Sequence, residues 1–116
     1  MSINKVFIVG NITRDPEKRK AGETPLIQFG IAVNEWRKEG EQYTNYFDVT
    51  VWGNRAVKLA DMLHKGQKVT VEGRLRYETW ERDGQKRSKV TIIADNVEFM
   101  SAKESKPNKT EDDIPW

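Results

Sequence analysis

Runs of alternating hydrophobic and polar residues divide residues 1–100 into segments typical of β-strands. β-branched and aromatic residues dominate each run, and turn residues such as Asp15-Pro16, Gly40 and Asp83-Gly84 separate them. Asp83-Gly84 in particular is typical of a two-residue β-hairpin turn. Residues 20–23 are predicted to form a loop. The five predicted strands span residues 4–12, 26–36, 43–52, 68–80 and 88–100.

One helix is predicted between the third and fourth strands. Asn54 is a candidate N-cap, and Gly66 is placed to end the helix in the left-handed conformation, with Lys65 near the negative end of the helix dipole. Its apolar face consists of Ala56, Val57, Leu59, Ala60 and Leu63. Three strands, a helix and two strands predict an all-β protein with a five-stranded OB-fold, a Greek-key barrel that binds oligonucleotides or oligosaccharides on one face.

Large aromatic residues fall on the polar side of three predicted strands. Successive side chains of a strand point to opposite faces, so the apolar side of each strand is expected to fill the barrel. On the fourth strand this predicted core set is Val69, Val71, Leu75 and Tyr77. The opposite sides carry Trp36, Tyr46, Trp52 and Trp80, interleaved with basic residues that include Arg37, Lys68, Arg74 and Arg76.

An aromatic ring in solvent can stack on an unpaired base, which contributes about 1–3 kcal/mol per base and tolerates any sequence. Basic side chains beside the rings can bind the phosphates. The pattern therefore predicts a surface for single-stranded nucleic acid. The alternative is that these rings pack in a subunit interface, or beneath the helix and loops.

The composition removes most enzyme chemistries. The chain has 116 residues, with 20 Lys+Arg against 18 Asp+Glu and a formal net charge of +2, which is one domain's length with a slight basic excess. With no cysteine and one histidine, disulfides, thiolate nucleophiles, Cys-ligated zinc and multi-His metal sites are excluded. We therefore predict that the protein binds a partner and is not an enzyme, and that it holds neither a metal nor another cofactor.

A small nuclease that holds a divalent metal with carboxylates is the remaining enzymatic alternative. Asp48, Glu72 and Glu78 lie on the predicted strands, but scattered strand carboxylates are ordinary surface residues more often than metal ligands. The chain has no apolar stretch long enough for a membrane span and no visible secretory signal, so no membrane association is expected. The lack of cysteine fits a reducing cytoplasm.

The alternating pattern stops at Ser101. The segment that follows has no aliphatic residue larger than alanine before Ile114, so it cannot offset the entropy of ordering by burying apolar surface. We predict an OB-fold domain at residues 1–102, followed at residues 103–116 by a disordered linker and an acidic tip.

Several motifs, in order, resemble the bacterial single-stranded DNA-binding protein family. They are NKVFIVGNITRDPE, Trp36, TNYFDVTVWG, LHKGQKVTVEGRLR, the hairpin at Trp80 and the final EDDIPW. The resemblance runs from about residue 4 to 100, with the last six residues in addition. It implies a homotetrameric OB-fold protein of the bacterial cytoplasm, associated with the nucleoid. Such a protein binds and protects single-stranded DNA, whatever its sequence, in replication, recombination and repair.

The resemblance also implies roles for single residues. Trp36, Tyr46, Trp52 and Trp80 stand where family members stack bases, although tryptophan is common at the position of Tyr46 and phenylalanine at that of Trp52. The positions that are often basic and contact phosphates are here Arg19, Lys65, Arg76 and Arg87.

The last six residues resemble the tip through which family members recruit replication and repair proteins. Ile114 and Trp116 would be apolar anchors, Pro115 limits the conformations lost on docking, and Asp112 and Asp113 suit a basic-rimmed pocket. The alternative is a tail that only improves solubility. Relatives usually end in phenylalanine, so Trp116 is a departure.

The first strand is apolar on both sides, with Val6 and Ile8 on one and Phe7 and Val9 on the other. One side has to fill the barrel and the other needs cover, which agrees with a homo-oligomer and does not set its size. The alternative function is binding of single-stranded RNA or of both nucleic acids, because stacking does not read the sugar.

Overall fold

Six strands and one short helix account for most of residues 1–100, the part of the chain that our computed structural model describes. The predicted linker and acidic tip lie outside these residues. In chain order the elements are β1 (Val6–Ile12), β2 (Glu17–Ala21), β3 (Thr24–Trp36), β4 (Gln42–Trp52), α1 (Asn54–Ala60), β5 (Lys68–Arg82) and β6 (Gln85–Phe99).

The strands form a barrel that β1 closes. The sheet order is β1-β5-β6-β4-β3-β2, and β1 also pairs with β3 at Asn11 and Ile12. All pairings are antiparallel except that of β4 with β6. Gly10 lies where β1 approaches β3, and a side chain there would collide with the Ala32 carbonyl. The predicted all-β barrel, with its helix between the third and fourth long strands, is confirmed.

The barrel interior is filled by the apolar sides of the strands. Phe29, Val49 and Val71 are completely buried, as the alternation predicts. Helix α1 covers one end of the barrel with Ala56 and Leu59, and Leu63, which follows the helix, packs into the same core. Burying these side chains supplies the main driving force for folding, about 25 cal/mol for each Å² of apolar surface.

The loop predicted around residues 20–23 is wrong in part, because Lys20 and Ala21 belong to the extra strand β2. This strand forms a hairpin with β3, and Gly22 adopts a positive φ of 65° in the connecting turn. All five residues of β2 are exposed. The strand therefore has no buried face and no hydrophobic alternation from which it could be predicted.

The prediction that Leu75 and Tyr77 belong to the core is also wrong, since they are 44% and 69% exposed. Their side of the strand is the predicted one. However, β5 pairs with β1 only as far as Gly73, and beyond the Leu75–Ile92 pair β5 and β6 pair only with each other, as a two-stranded arm. Ile92 still belongs to the core, but Leu75 lies beyond the last residue that pairs with β1, and on the arm Tyr77 has no core to fill.

Helix α1 is shorter than predicted, and it begins differently. Its N-cap is Gly53, whose N–H donates to the Pro25 carbonyl at 2.8 Å, so Asn54 is the first helical residue. The helix ends at Ala60, and Gly66 instead adopts its positive φ in the turn to β5, where its N–H donates to the Ile12 carbonyl. Val57, predicted on the apolar face, is exposed.

Candidate nucleic-acid interface

Strands β3 and β4 place three of the predicted aromatic residues on one side of the sheet. Tyr46 pairs with Ala32 and Trp52 pairs with Leu26, while Trp36 lies four residues after Ala32 and therefore on the same side. With a rise of about 3.4 Å per residue, Trp36 is about 14 Å from Tyr46 along the strands, and Trp52 is about 20 Å from it in the other direction.

The parallel pairing of β4 with β6 extends this side of the sheet to Trp80. Thr50, on the same side as Tyr46 and Trp52, pairs with Ile93 of β6. Residue Arg87 of β6, six positions before Ile93, shares that side and pairs with Trp80 of β5. The four rings therefore share one continuous surface, here called the aromatic face and defined by Trp36, Tyr46, Trp52 and Trp80.

All four rings of the aromatic face reach solvent. Trp36 and Tyr46 are 73% and 72% exposed, and Trp52 and Trp80 are 38% and 39% exposed. None of them is buried in the barrel or beneath α1. Large apolar side chains grouped in this way mark an interaction surface, whereas isolated ones are ordinary.

Four of the predicted basic residues lie on the same surface. Arg19 of β2 pairs with Leu26, which pairs with Trp52, so the three residues form one row across the sheet. Arg74, Arg76 and Arg87 share the side of the β5–β6 hairpin that carries Trp80. Arg74 is held by Asp95 at 3.3 Å and Arg19 by Glu17 at 3.2 Å.

Lys65 lies apart from these residues. It belongs to the segment between α1 and β5, and no strand pairing places it on the aromatic face. Its backbone N–H donates to Asp15 Oδ1 at 2.8 Å. Asp15 follows Arg14 directly, so the backbone of Lys65 lies close to the segment that carries Arg14. The predicted tip residues, Asp112 to Trp116, are outside the described residues.

Sequence reasoning missed two cations of the aromatic face, Arg14 and Lys89. Both contact Asp48, with Arg14 Nη2 3.6 Å from Oδ1 and Lys89 Nζ 3.5 Å from Oδ2. Lys89 Nζ also lies 5.9 Å from the centroid of the Trp80 ring. Strand alternation could have found Lys89, which is two residues from Arg87. Arg14 lies outside every strand, so no periodicity indicates its direction.

The tip of the β3–β4 hairpin carries a further aromatic and cationic pair. The Arg37 guanidinium lies over the Tyr43 ring, 4.3 Å from its centroid. Tyr43 pairs with Glu35 and therefore points to the side opposite Trp36. The cation–π contact stabilises the hairpin just beyond Trp36.

Within residues 1–100, no three His, Cys, Asp or Glu side chains come together as a metal site. A hydrogen bond and the negative charge of Glu72 raise the pKa of Lys5, whose Nζ is 2.7 Å from that carboxylate, beside β1. No helix among the same residues is both long and apolar enough to cross a membrane.

In a comparison with known proteins, residues 3–100 match the model of the single-strand binding protein family. The chain is 40% identical over 104 residues to a single-stranded DNA-binding protein of Treponema pallidum, covering 86% of this chain and 59% of that protein. It is 41% identical over 104 residues to one of Aquifex aeolicus, covering 85% and 71%. The chain thus spans less than two thirds of the Treponema relative.

Two solved structures have similar folds. The single-stranded DNA-binding protein of Thermus aquaticus, as a deletion mutant, matches with a TM-score of 0.71 and 32% identity, covering 85% of this chain and 51% of that one. The Plasmodium falciparum SSB in complex with ssDNA matches with a TM-score of 0.77 and 25% identity, covering 87% and 97%.

Proposed function

The chain belongs to the single-strand binding protein family, and from that membership we propose that it binds single-stranded DNA along the aromatic face. The observation that carries the proposal is the exposure of Trp36, Tyr46, Trp52 and Trp80 on one continuous surface. Each ring can stack on one unpaired base, and stacking of about 1–3 kcal/mol per base requires no particular sequence. Duplex DNA, with its bases stacked inside, would gain little from this surface.

Cations beside the rings supply the second part of the binding energy. Arg19 shares a row with Trp52, and Arg76 and Arg87 share the arm with Trp80. Each Lys or Arg that neutralises a phosphate releases condensed counterions, so binding is expected to weaken as salt rises. We expect Lys65 to bind a phosphate beside the segment that carries Arg14.

DNA is the expected nucleic acid because the Plasmodium SSB, of similar fold, is in complex with ssDNA. Stacking itself would serve RNA as well, since base rings are alike in both. A preference for RNA would depend on contacts to the 2′-hydroxyl, and competition between oligo-dT and oligo-U measures it.

The central experiment is a titration of the full chain with oligo-dT of graded length, followed by tryptophan fluorescence at several salt concentrations. Three of the four rings of the aromatic face are tryptophans, so binding should quench their emission and saturate at a length that gives the footprint. Duplex DNA of equal length is the control. Unchanged fluorescence and no retention of oligo-dT would refute the proposal. Tighter binding of oligo-U than of oligo-dT would show that RNA is the preferred ligand.

We also propose that the chain acts in replication, recombination and repair, and that the tip with Asp112, Asp113, Ile114, Pro115 and Trp116 recruits other proteins. The support is the likeness of EDDIPW to the family's tip and its combination of acidic and apolar side chains. The tip's partners are expected to offer an apolar pocket with a basic rim.

A homo-oligomer, a tetramer by family likeness, is proposed from the exposed side of β1. Phe7 and Val9 are 68% and 38% exposed there, and the part of β1 from Val6 to Gly10 pairs with β5 alone. An apolar strand with an open edge tends to associate with another chain. Sedimentation equilibrium of the full chain tests this, and a monomer at all concentrations would contradict it.

A further inference from the structure

An acidic side chain lies in the middle of the aromatic face. Asp48 is two residues from Tyr46 on β4, and its carboxylate is shared by two cations. Oδ1 is 3.6 Å from Arg14 Nη2 and Oδ2 is 3.5 Å from Lys89 Nζ, and the three side chains are 46–50% exposed. A surface that binds a polyanion gains nothing from a carboxylate of its own, so the position of Asp48 calls for an explanation.

A glycine on β3 leaves room for the Arg14 side chain on the aromatic face. Gly30 pairs with Asp48 across β3 and β4. A Cβ at Gly30 would lie 2.8 Å from Arg14 Nη1 and would also collide with the Thr13 hydroxyl. Only the absence of a side chain at Gly30 lets the Arg14 guanidinium lie over the β3 backbone, within reach of Asp48.

Lys89 connects the same carboxylate to one of the stacking rings. Its ammonium lies 3.5 Å from Asp48 and 5.9 Å from the centroid of the Trp80 ring. Two cations therefore converge on one anion between Tyr46 and Trp80. Two converging cations also form a site that suits a phosphate of a bound strand.

We propose that Asp48 occupies the position of a strand phosphate in the free protein, and that DNA displaces it from Arg14 and Lys89. The inference rests on the proposed function. Exposed ion pairs at these separations are weak, so a phosphate that approaches between two stacked bases can replace the carboxylate. Asp48 keeps both cations ordered on the face and, as their competitor, lowers the affinity so that a bound strand can leave.

The test is the isosteric variant Asp48→Asn in the full chain, titrated with oligo-dT. Its Kd should fall about three- to tenfold at low salt, because one weak competing anion is removed. The slope of log K against log salt should change little, because Arg14 and Lys89 neutralise the same phosphate in the wild-type complex and in the variant complex.

Glu35→Gln is the matched control. It removes the same net charge, but Glu35 points to the side opposite Trp36, and its carboxylate accepts a hydrogen bond from Asn45 Nδ2 at 2.7 Å and holds neither Arg14 nor Lys89. A general effect of net charge would change both variants equally. In addition, the gain from Asp48→Asn should disappear when Arg14→Gln and Lys89→Gln are also present, since nothing then remains to be released.

Three outcomes separate the possibilities. If the wild-type chain does not bind oligo-dT, the proposed function fails and this inference fails with it. If the wild type binds and Asp48→Asn binds no tighter than Glu35→Gln, only the competitor role of Asp48 is overturned. A gain that persists without Arg14 and Lys89 overturns it as well.

Discussion

At the scale of single residues, the exposure of each ring on β3 and β4 depends on the residue that pairs with it on the neighbouring strand. Tyr46 lies opposite Ala32 and Trp36 opposite Gln42, so no bulky apolar side chain covers either ring. Trp52 lies opposite Leu26 and is half covered. Cross-strand neighbours have Cβ atoms about 5 Å apart, close enough to shield a ring. The two open rings should therefore contribute most to stacking.

Tyr46→Ala should weaken binding of oligo-dT by about 1–3 kcal/mol, whatever the base sequence, because one stacked base is lost. The measurement is Kd by fluorescence anisotropy of a labelled oligonucleotide. Tyr77→Ala is the matched control, since Tyr77 is as exposed as Tyr46 but points to the other side of the sheet. An equal loss in both variants would show that the aromatic face has no special role.

Gly10→Ala should destabilise the protein by about 1–3 kcal/mol, because the new methyl group collides with the backbone of β3 where the barrel closes. Urea unfolding followed by circular dichroism measures the loss. Gly22→Ala serves for comparison: its methyl group meets no atom within 4 Å, so only the strain of a positive φ, about 1 kcal/mol, is expected. A smaller loss at Gly10 than at Gly22 would contradict the close approach.

At the scale of elements, the arm formed by the ends of β5 and β6 carries much of the proposed interface beyond the barrel. Asp83 and Gly84 adopt positive φ values of 54° and 77°, as a type I′ turn requires, and they join the two strands with no extra residue. Arg76, Trp80 and Arg87 share one side of this arm. A two-stranded ribbon has little stability of its own, so it depends on the barrel that anchors it.

Replacing both Arg76 and Arg87 by alanine should weaken binding to all sequences alike and reduce the salt slope by about 1.4, since two phosphate contacts are lost. Titrations between about 50 and 200 mM NaCl measure this slope. Lys86→Ala is the control, because Lys86 lies on the same arm and points to the opposite side. If Lys86→Ala changes the slope by the same amount per charge, the arm binds without a preferred side.

At the scale of the whole molecule, net charge contributes little to the choice of a polyanionic partner. With 20 basic and 18 acidic residues the chain is close to neutral, so attraction depends on where the cations lie. Three acidic residues and no basic residue fall within the last six positions, which concentrates negative charge in the proposed tip. Binding of DNA and recruitment of proteins are thus proposed for separate parts of the chain.

Deleting residues 111–116 should leave the affinity for oligo-dT unchanged, or raise it slightly as three negative charges are lost, and should abolish binding of partner proteins. Anisotropy measures the first effect, and co-purification with replication proteins of the host measures the second. Asp112→Asn with Asp113→Asn, which keeps the apolar anchors, separates charge from apolar contact. Loss of DNA binding on deletion would contradict the proposal that separate parts of the chain bind DNA and recruit proteins.

The sequence by itself determined the features that depend on a residue and its near neighbours in the chain. Alternation placed Phe29 and Val49 in the core and left Trp36 and Tyr46 on the outer side, because successive side chains of any strand point to opposite faces. Asp83-Gly84 indicated its turn for a similarly local reason, since a tight hairpin needs residues that tolerate positive φ.

Only the tertiary structure decided what depends on which strands are neighbours and where their pairing stops. Leu75 and Tyr77 have the pattern of core residues, yet they are exposed because β1 ends its pairing at Gly73. Asp48 meets Arg14 and Lys89 because the barrel brings distant parts of the chain together. Neither outcome is encoded in local periodicity, because burial and ion pairing depend on what the fold places on the other side of a residue.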